Sequence, residues 1–514
     1  MNSKIFFDKV YGCWYGKCLG GAAGAPKEGI KALIDIEDFT EIYNPDLPND
    51  DLDIQLLWLD VLEKKGYEIT SCDLADAWIE KCWYPFSEYG YFMKNYMRGI
   101  KPPYSGIVNN SFFKEGMGCP IRSEIWGILC AGKPDLAVKY AYIDACLDHA
   151  DNSVYAEQFL AAVESMAFYE NDIEKIIKDG MKYVPKESKL HKCFEMILTM
   201  RDKPWKEVRQ EVLNKFGHPD FTNVVQNLAF VVISLLYGKG DMRETINIAL
   251  KCGYDTDCTC ASAASIVGII QGFEALGELT DLIQDYFVCG IDVKRPSDSI
   301  KQLAMDTVRL AENMPEDVNL KFEYPTEEGL KTALEAIEPV KWKIYGPYFE
   351  QLDQPINPDY PSPHGEGCVL PDVVCMVNNQ VFLEKDYKKE KIAYTIEAYE
   401  DFIDVDSYIK MEGQYACFAD TTVISKEDKK VWLIVGNNDG FSVSVNGEEV
   451  LKKDEMRLWT PYNNFCLINV KEGENKISVK LLRRGEKLKF SIGFRIYTGE
   501  HWHRSKWCTD LEYR

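Results

Sequence analysis

Two short clusters of acidic residues stand out in this chain of 514 residues. The first, at 49–53, is Asn-Asp-Asp-Leu-Asp, and the second, at 255–257, is Asp-Thr-Asp. Each cluster begins an apolar stretch with helical spacing. Carboxylate oxygens are the ligands that hard divalent cations prefer, and the two clusters together could hold one or two ions. A metal-assisted hydrolase is therefore the first hypothesis.

A simpler explanation exists for each cluster, because Asp and Asn cap helix N-termini and are stabilised there by the helix dipole. One acidic side chain suffices for a cap, whereas the three at 50–53 repel one another unless a cation is present. The stretch after the second cluster is rich in small residues, which predicts a helix buried in the middle of a bundle. Two carboxylates at its start would be costly there without a partner. The residues alone leave both explanations open.

Glycines at 12, 16, 20 and 24 recur every four residues near the N-terminus. This spacing places them on one helix face and predicts close packing against another helix. The same stretch does not match a phosphate-binding loop, because no strand precedes it and no Gly-Lys-Ser or Gly-Lys-Thr ends it. Glu28 follows at the end of this helix, where its carboxylate could be directed into a cleft.

Polar residues between the two clusters are further candidates for a binding pocket. His149 has acidic neighbours, but a single histidine in a helical region is more often a packed, hydrogen-bonded residue than a ligand. Arg122 and Glu124 could form a local ion pair or face a pocket. We expect Asn109, Asn110, Arg122 and His149 to line the pocket. The sequence shows no Ser-His-Asp or Cys-His arrangement with a recognisable local context.

Together these pieces resemble the ADP-ribosylglycohydrolase family, which has an all-α metalloenzyme fold. The sequence at 20–28 is similar to the family's Gly-Asp-x-x-Gly-x-x-x-Glu, and that at 49–51 to its Thr-Asp-Asp. Gly-Tyr-Asp-Thr-Asp-Cys at 253–258 is similar to its Gly-Gly-Asp-Thr-Asp-Thr or -Cys. His149 and Asn227 also fit the pattern. The resemblance covers about residues 8–275.

The resemblance implies a dinuclear Mg²⁺ or Mn²⁺ centre that holds a ribose diol while an N- or O-glycosidic bond is cleaved. It implies that Glu28 and Asp51 serve the attacking water, with Glu124 as a candidate acid. The implied substrate-binding residues are Asn109, Asn110, Arg122, His149 and Asn227. The implied metal ligands are Asn49, Asp50, Asp51, Asp255, Asp257 and Cys258, with Thr259 as an alternative to Cys258.

Three positions depart from the family pattern. Gly21 stands where the family has Asp, Asn49 replaces Thr, and Cys258 replaces the commoner Thr; cysteine is a softer ligand than a hydroxyl oxygen. Two alternatives therefore stay open. One is a hydrolase of the same fold, acting on another glycoside or a nucleoside-like substrate. The stretch 122–127 and the strand-rich C-terminal part resemble a bacterial subgroup whose substrate need not be ADP-ribosyl protein. The other is a non-catalytic sugar- or nucleotide-binding protein with a degenerate metal site.

Residue patterns divide the chain into a helical part and a strand-rich part. We predict a multidomain protein: an all-α bundle at 1–335, a Pro-rich linker or strap at 336–368, and an all-β, jelly-roll-like sandwich at 369–514 that resembles galactose-binding domains. Asn446 and Gly447 between alternating stretches predict a hairpin. The bundle carries the predicted catalytic site.

Composition limits the classes of binding partner and the cellular compartment that we expect for this protein. The net charge of −23 argues against nucleic acid or an anionic membrane as a partner and leaves a small-molecule glycoside or an ADP-ribosylated substrate. The 17 cysteines, an odd and scattered number, predict reduced thiols. The sequence shows neither a signal peptide nor an uncharged apolar run of about 18 residues. We therefore expect a cytoplasmic protein.

Overall fold

A computed structural model describes residues 1–47, 50–349, 375–376, 385–411, 413–457, 459–462, 464–483 and 487–514. These residues form two compact units. The first consists of Met1–Trp83 and Phe113–Tyr324, and the second of Tyr84–Phe112 and residues from Pro325 onward. The two units are described separately below.

Helices make up the first unit. Local signals fix their ends; for example, Asn2 caps the first helix, because its Oδ1 accepts a hydrogen bond from Ile5 N at 2.9 Å. Two of the helices, α4 and α15, belong to the second unit. The helices are α1 (Ser3–Gly24), α2 (Asp50–Lys65), α3 (Ser71–Lys81), α4 (Ser87–Met97), α5 (Glu124–Leu129), α6 (Pro134–Ala145), α7 (Asn152–Ala167), α8 (Ile173–Gly180), α9 (Lys189–Thr199), α10 (Trp205–Phe216), α11 (Val224–Gly238), α12 (Met242–Cys252), α13 (Thr256–Gln271), α14 (Ile300–Glu312) and α15 (Glu327–Glu335).

The close packing of α1 against α13 is central to the first unit. Gly12 faces Gly268 and Gly24 faces Thr256, so the two helices run antiparallel. A Cβ added at any of the four glycines at 12, 16, 20 and 24 would lie within 3.0 Å of main-chain atoms of α13. Helix α13 is itself buried from Thr256 to Ile269. The predicted close packing of the glycine helix and the predicted burial of the small-residue helix are both confirmed.

Strands make up most of the second unit. They are β1 (Val340–Phe349), β2 (Cys375–Met376), β3 (Ile392–Ala398), β4 (Phe402–Asp404), β5 (Tyr415–Ser425), β6 (Lys429–Asn437), β7 (Phe441–Val445), β8 (Glu448–Lys453), β9 (Glu455–Met456), β10 (Asn464–Val470), β11 (Gly473–Arg483), β12 (Lys489–Ile496) and β13 (Glu512–Tyr513). The predicted hairpin is present, because Asn446 and Gly447, both with positive φ, join β7 to β8.

The strands form a sandwich with antiparallel pairing. Among the described residues, one sheet has the order β3-β1-β5-β11-β7-β8, with β13 paired to β5, and the other has the order β10-β6-β12-β4. A short pair, β2-β9, stands apart from them. Alternate side chains of both larger sheets fill one core, in which Trp342 of β1 packs edge-to-face on Phe490 of β12 at 5.1 Å.

The helices followed by antiparallel sheets confirm the predicted fold class, an all-α part and then an all-β part. From residue 350 to 368 the predicted strap lies outside the described residues, and its described start contains β1. The predicted domain boundaries stay predictions. No helix in the described part of the chain is long and apolar enough to cross a membrane.

Candidate functional site

The end of α1 and the start of α13 meet, and this meeting positions two of the predicted acidic groups. Thr256 Oγ1 donates a hydrogen bond to Gly24 O at 2.8 Å. Just beyond the helix ends, Gly29 N donates to Tyr254 O at 2.8 Å, and Tyr254 N donates to Ile30 O at 2.7 Å. Glu28, which follows α1, is therefore held beside the acidic residues that begin α13.

An unusual backbone conformation turns the chain into α13. Gly253 and Tyr254 both have positive φ, at 71° and 69°. Only glycine fits the first position, because a Cβ there would collide with the carbonyl oxygens of Ile30 and Ala32. The second is a strained conformation for tyrosine, and such strain persists only where the surroundings impose it. The turn thereby fixes where Asp255 lies.

Two overlapping groups of ligand atoms form at this place. Ligand atoms of Glu28, Asp255 and Asp257 lie within 4.8 Å of one another, and so do those of Asp51, Asp257 and Cys258. Asp257 belongs to both groups. Glu28 is exposed, whereas the other four residues are buried. The structure thus brings the two acidic clusters of the sequence into one buried site with an opening at Glu28.

Burial and mutual repulsion both raise the pKa values of the groups in this acidic site. Burial first, and then Asp257 and Glu28, raise the pKa of Asp255 well above its usual range. Repulsion from Asp257, followed by burial, raises the pKa of Glu28 to about 9. Burial, then Asp255 and Asp257, likewise raise the pKa of the Cys258 thiol. Without a counter-charge these groups hold protons that carboxylates ordinarily lose.

The residues of the first acidic cluster, at the start of α2, have different surroundings. Asp51 is fully buried, and burial together with Asp257 and Asp50 raises its pKa although Lys17 opposes the shift. Asp50 is half-buried, and Asn49 lies outside the described residues. Asp53 is engaged elsewhere, because its carboxylate oxygens accept hydrogen bonds from Gly290 N at 3.0 and 3.1 Å.

A buried lysine, which sequence reasoning missed, adjoins the acidic site. Lys17 of α1 has no exposed surface, and its Nζ lies 2.9 Å from Glu124 Oε1 and 4.0 Å from Asp51 Oδ2. Nζ also donates to Ile121 O at 2.6 Å. Burial by itself lowers the pKa of Lys17, but attraction from Glu124 and Asp51 outweighs burial and raises this pKa. Lys17 is therefore an ammonium group at the edge of the site.

Glu124 is held by hydrogen bonds on both of its oxygens. Oε1 accepts from Ser265 Oγ at 2.9 Å in addition to Lys17, and Oε2 accepts from Gln55 Nε2 at 2.8 Å. Gln55, also missed in the sequence, bonds to Asp51 O as well, at 2.9 Å. The side chain of Glu124 is fully buried. This carboxylate thus fixes Lys17 within the core.

Arg122 and His149 belong to a separate buried ion-pair network. Arg122 Nε lies 2.7 Å from Asp144 Oδ1, and Arg122 Nη2 lies 2.7 Å from Asp148 Oδ1. His149 Nδ1 lies 2.8 Å from the same oxygen of Asp148. Trp126 Nε1 donates to Asp144 Oδ2 at 2.9 Å. The side chains of these ion pairs are fully buried. Substrate binding by Arg122 and His149 stays a prediction.

The predicted asparagines lie in different parts of the molecule. Asn227 adjoins the acidic site, because its Oδ1 accepts a hydrogen bond from Asp255 N at 3.2 Å. Asn109 and Asn110 belong to the second unit, where Asn110 Nδ2 donates to Gly106 O at 2.9 Å and Asn109 Oδ1 accepts from Asp401 N at 2.7 Å. The substrate-binding roles of all three stay predictions.

A protein-family model matches the larger, N-terminal part of the chain. The family model described as ADP-ribosylglycohydrolase matches residues 2–317. The chain belongs to the ADP-ribosylglycohydrolase family. Membership supports a glycohydrolase function. The match covers α1, α2 and α13, and with them every described residue of the acidic site.

Solved structures give more distant similarities. One titled ADP-ribosylglycohydrolase-related protein complex is 17% identical, with 60% of this chain and 99% of that chain covered and a TM-score of 0.45. A β-glucosidase from Kluyveromyces marxianus is 8% identical, with 31% and 16% covered and a TM-score of 0.20. A PA14 domain of the antifreeze protein MpAFP is 14% identical, with 19% and 54% covered and a TM-score of 0.16. No curated protein matches the chain.

Proposed function

We propose that this ADP-ribosylglycohydrolase family member is a metal-dependent hydrolase that cleaves the N- or O-glycosidic bond of an ADP-ribosyl or related ribosyl substrate. The family acts on ADP-ribosylated small molecules or proteins, which supports this substrate class. The observation that carries the metal dependence is the pair of ligand groups, each within 4.8 Å, that share Asp257.

The donor set fits a hard divalent cation. Glu28, Asp255 and Asp257 offer oxygen atoms alone, which suit Mg²⁺ or Mn²⁺. Asp257 Oδ1 is buried and has no hydrogen-bond partner among the described residues. An unsatisfied buried carboxylate oxygen is costly, and a coordinated cation removes the cost. The residues that would hold the cation are Glu28, Asp50, Asp51, Asp255 and Asp257, with Cys258 as a softer donor.

Residues of the chain itself would carry out the proton transfers of the reaction. When bound, a divalent cation supplies Lewis-acid polarisation of the ribose oxygens and of a water molecule. Glu28 lies at the exposed edge of the site, where its carboxylate can take the proton of the attacking water as the bond at the anomeric carbon breaks. Because repulsion from Asp257 raises the pKa of Glu28 to about 9, the carboxylate can act as a base near neutral pH when a bound cation offsets that repulsion.

In this proposal, the other predicted residues of the helical unit hold the groups of the acidic site in place. Glu124 is bonded to Lys17, Ser265 and Gln55, which favours a supporting role over that of the acid. Asn227 holds the main chain at Asp255. The ion pairs of Arg122 stiffen the framework next to them. Leaving-group protonation then falls to Glu28 or to solvent.

A substrate panel with matched variants tests the proposal. ADP-ribosyl-arginine, ADP-ribosyl-serine and simple glycosides are incubated with the protein in EDTA and after Mn²⁺ is restored. We expect turnover of an ADP-ribosyl substrate that EDTA abolishes. Glu28→Gln should lower kcat by about 10²- to 10⁴-fold, the usual contribution of a general base. Glu37→Gln is the control, because Glu37 is also an exposed glutamate and follows Glu28 by nine residues, and it should leave kcat unchanged.

The outcomes separate the competing functions. Turnover of simple or nucleoside-like glycosides alone supports the hydrolase with another substrate. Binding of Mn²⁺ without turnover of any compound supports the degenerate binding protein. Turnover that persists in EDTA, together with no detectable Mn²⁺ binding, contradicts the metal dependence.

A further inference from the structure

The geometry points to Lys17 as a built-in cation of the acidic site that takes the place of a second metal ion, so that the site holds one divalent cation. This inference rests on the proposed metal-dependent function. Lys17 Nζ lies 4.0 Å from Asp51 Oδ2, and Asp51 belongs to the second ligand group, with Asp257 and Cys258. Its ammonium charge is thus placed where the charge of a second ion would act.

The ammonium group is fixed and cannot move aside for a metal ion. Lys17 is fully buried, and its Nζ is tied to Ile121 O at 2.6 Å and to Glu124 Oε1 at 2.9 Å. Glu124 is in turn held by Ser265 and Gln55. Displacing Nζ would leave Glu124 as a buried charge without its cation, which is strongly unfavourable.

The two ligand groups are unequal, which indicates where the single ion binds. Glu28, Asp255 and Asp257 offer oxygens alone, and Glu28 lies at the exposed edge of the site. The other group ends in the thiol of Cys258, a poor ligand for Mg²⁺, and its Asp51 faces Lys17. An ion bound to Asp51 would be repelled by the neighbouring ammonium. The oxygen-only group therefore takes the ion.

The departure at residue 21 agrees with this assignment. Residues 17 and 21 are four apart on α1 and so share a helix face. Gly21 lacks the carboxylate that the family pattern has at this position, while Lys17 adds a positive charge one turn earlier. Both features lower the negative charge of the site, and with it the attraction for a second divalent ion.

Counting bound ions tests the inference without an activity assay. The full chain is dialysed against Mn²⁺, the metal per chain is measured, and electron paramagnetic resonance distinguishes an isolated Mn²⁺ ion from an exchange-coupled pair. Lys17→Met removes the charge at similar length. The double variant Lys17→Met/Glu124→Gln also removes the orphaned carboxylate, which guards against misfolding. Lys9→Met is the matched control, because Lys9 of the same helix bonds to Ile269 O at 2.9 Å, away from the acidic site.

We expect one uncoupled Mn²⁺ ion in the wild type and in Lys9→Met, and two ions with a coupled signal in the double variant. Two coupled ions in the wild type would overturn the inference and leave the metal-dependent function intact. A single ion in both the wild type and the folded double variant would also overturn it. No bound Mn²⁺ in the wild type would overturn both proposals.

Discussion

Neutralising Asp257 should make the metal-free protein more stable while it abolishes metal binding. Asp257 is the residue that both ligand groups share, and its charge is the largest cause of the raised pKa of Glu28. Asp257→Asn keeps the size and shape of the side chain. In the absence of a cation, the substitution removes a repulsive charge from a buried cluster.

The structure sets the size of this effect. Two unit charges 4.8 Å apart, at an effective dielectric constant of about 20, repel by roughly 3 kcal/mol. Protons already held by the neighbouring carboxyls reduce this figure, and solvent screening at the exposed Glu28 reduces it further. Loss of a favourable helix-dipole interaction at the start of α13 subtracts about 0.5 kcal/mol. We expect a net gain of about 1 kcal/mol in the free energy of unfolding.

Thermal unfolding in EDTA and in excess Mn²⁺ measures the prediction. In a domain of this size 1 kcal/mol moves Tm by about 2 °C, so the variant should melt about 2 °C above the wild type in EDTA. Mn²⁺ at about 100 times its Kd should stabilise the wild type by about 2.7 kcal/mol and the variant not at all. The order of the two melting temperatures then reverses.

Asp53→Asn is the matched control, because Asp53 is as buried as Asp51 on the same helix but bonds to Gly290 N. It should retain the full Mn²⁺ shift and gain no stability in EDTA. If Asp257→Asn destabilises the metal-free protein and still responds to Mn²⁺, the reasoning about the acidic site is refuted.

Three further predictions follow from the site and its framework. In EDTA, Tm should fall as pH rises towards 9, because the folded state, with the pKa of Glu28 at about 9, binds more protons than the unfolded state. Gly20→Ala should cost about 1–3 kcal/mol and weaken Mn²⁺ binding in a titration, because its Cβ would collide with Cys260 O. Arg122→Met should lower the free energy of unfolding in urea by about 3–5 kcal/mol, because it removes the buried cation that pairs with both Asp144 and Asp148.

For each of these three predictions, one result would contradict the reasoning. The fall of Tm with rising pH should be smaller in Asp257→Asn than in the wild type. A fall of the same size in both proteins would mean that groups other than Glu28 cause it. Wild-type stability of Gly20→Ala would mean that α1 and α13 can separate at no cost. A loss below about 1 kcal/mol for Arg122→Met would make its ion pairs no stronger than surface pairs.

Sequence patterns predicted the elements that meet at the site because short-range chemistry determines them. A glycine every fourth residue predicts backbone contact, and the structure shows it between α1 and α13. Small residues after Asp257 predict a buried helix, which α13 is. Acidic residues at two helix starts predict a shared site, and Asp51 and Asp257 are close enough to share one cation.

Long-range contacts account for what sequence reasoning missed. Lys17 is the only charged residue between Val10 and Gly24, a signal that a buried helix carries a functional or paired lysine. Its partners come from other elements, so the spacing along the chain cannot identify them. In the same way, periodicity cannot tell that Asp53 bonds to Gly290 while Asp51 faces the acidic site.

The distance along the chain between the ligands has a consequence for biosynthesis. Glu28 leaves the ribosome early, whereas Asp255 and Asp257 emerge about two hundred residues later, and the carboxylates meet only after α13 has packed against α1. A nascent chain that ends before α13 lacks half of the proposed ligands, so under the proposed function a cation would be captured only by an assembled helical unit. Loading with metal would then occur as a late event, after which the ion resists separation of the two helices that brought its ligands together.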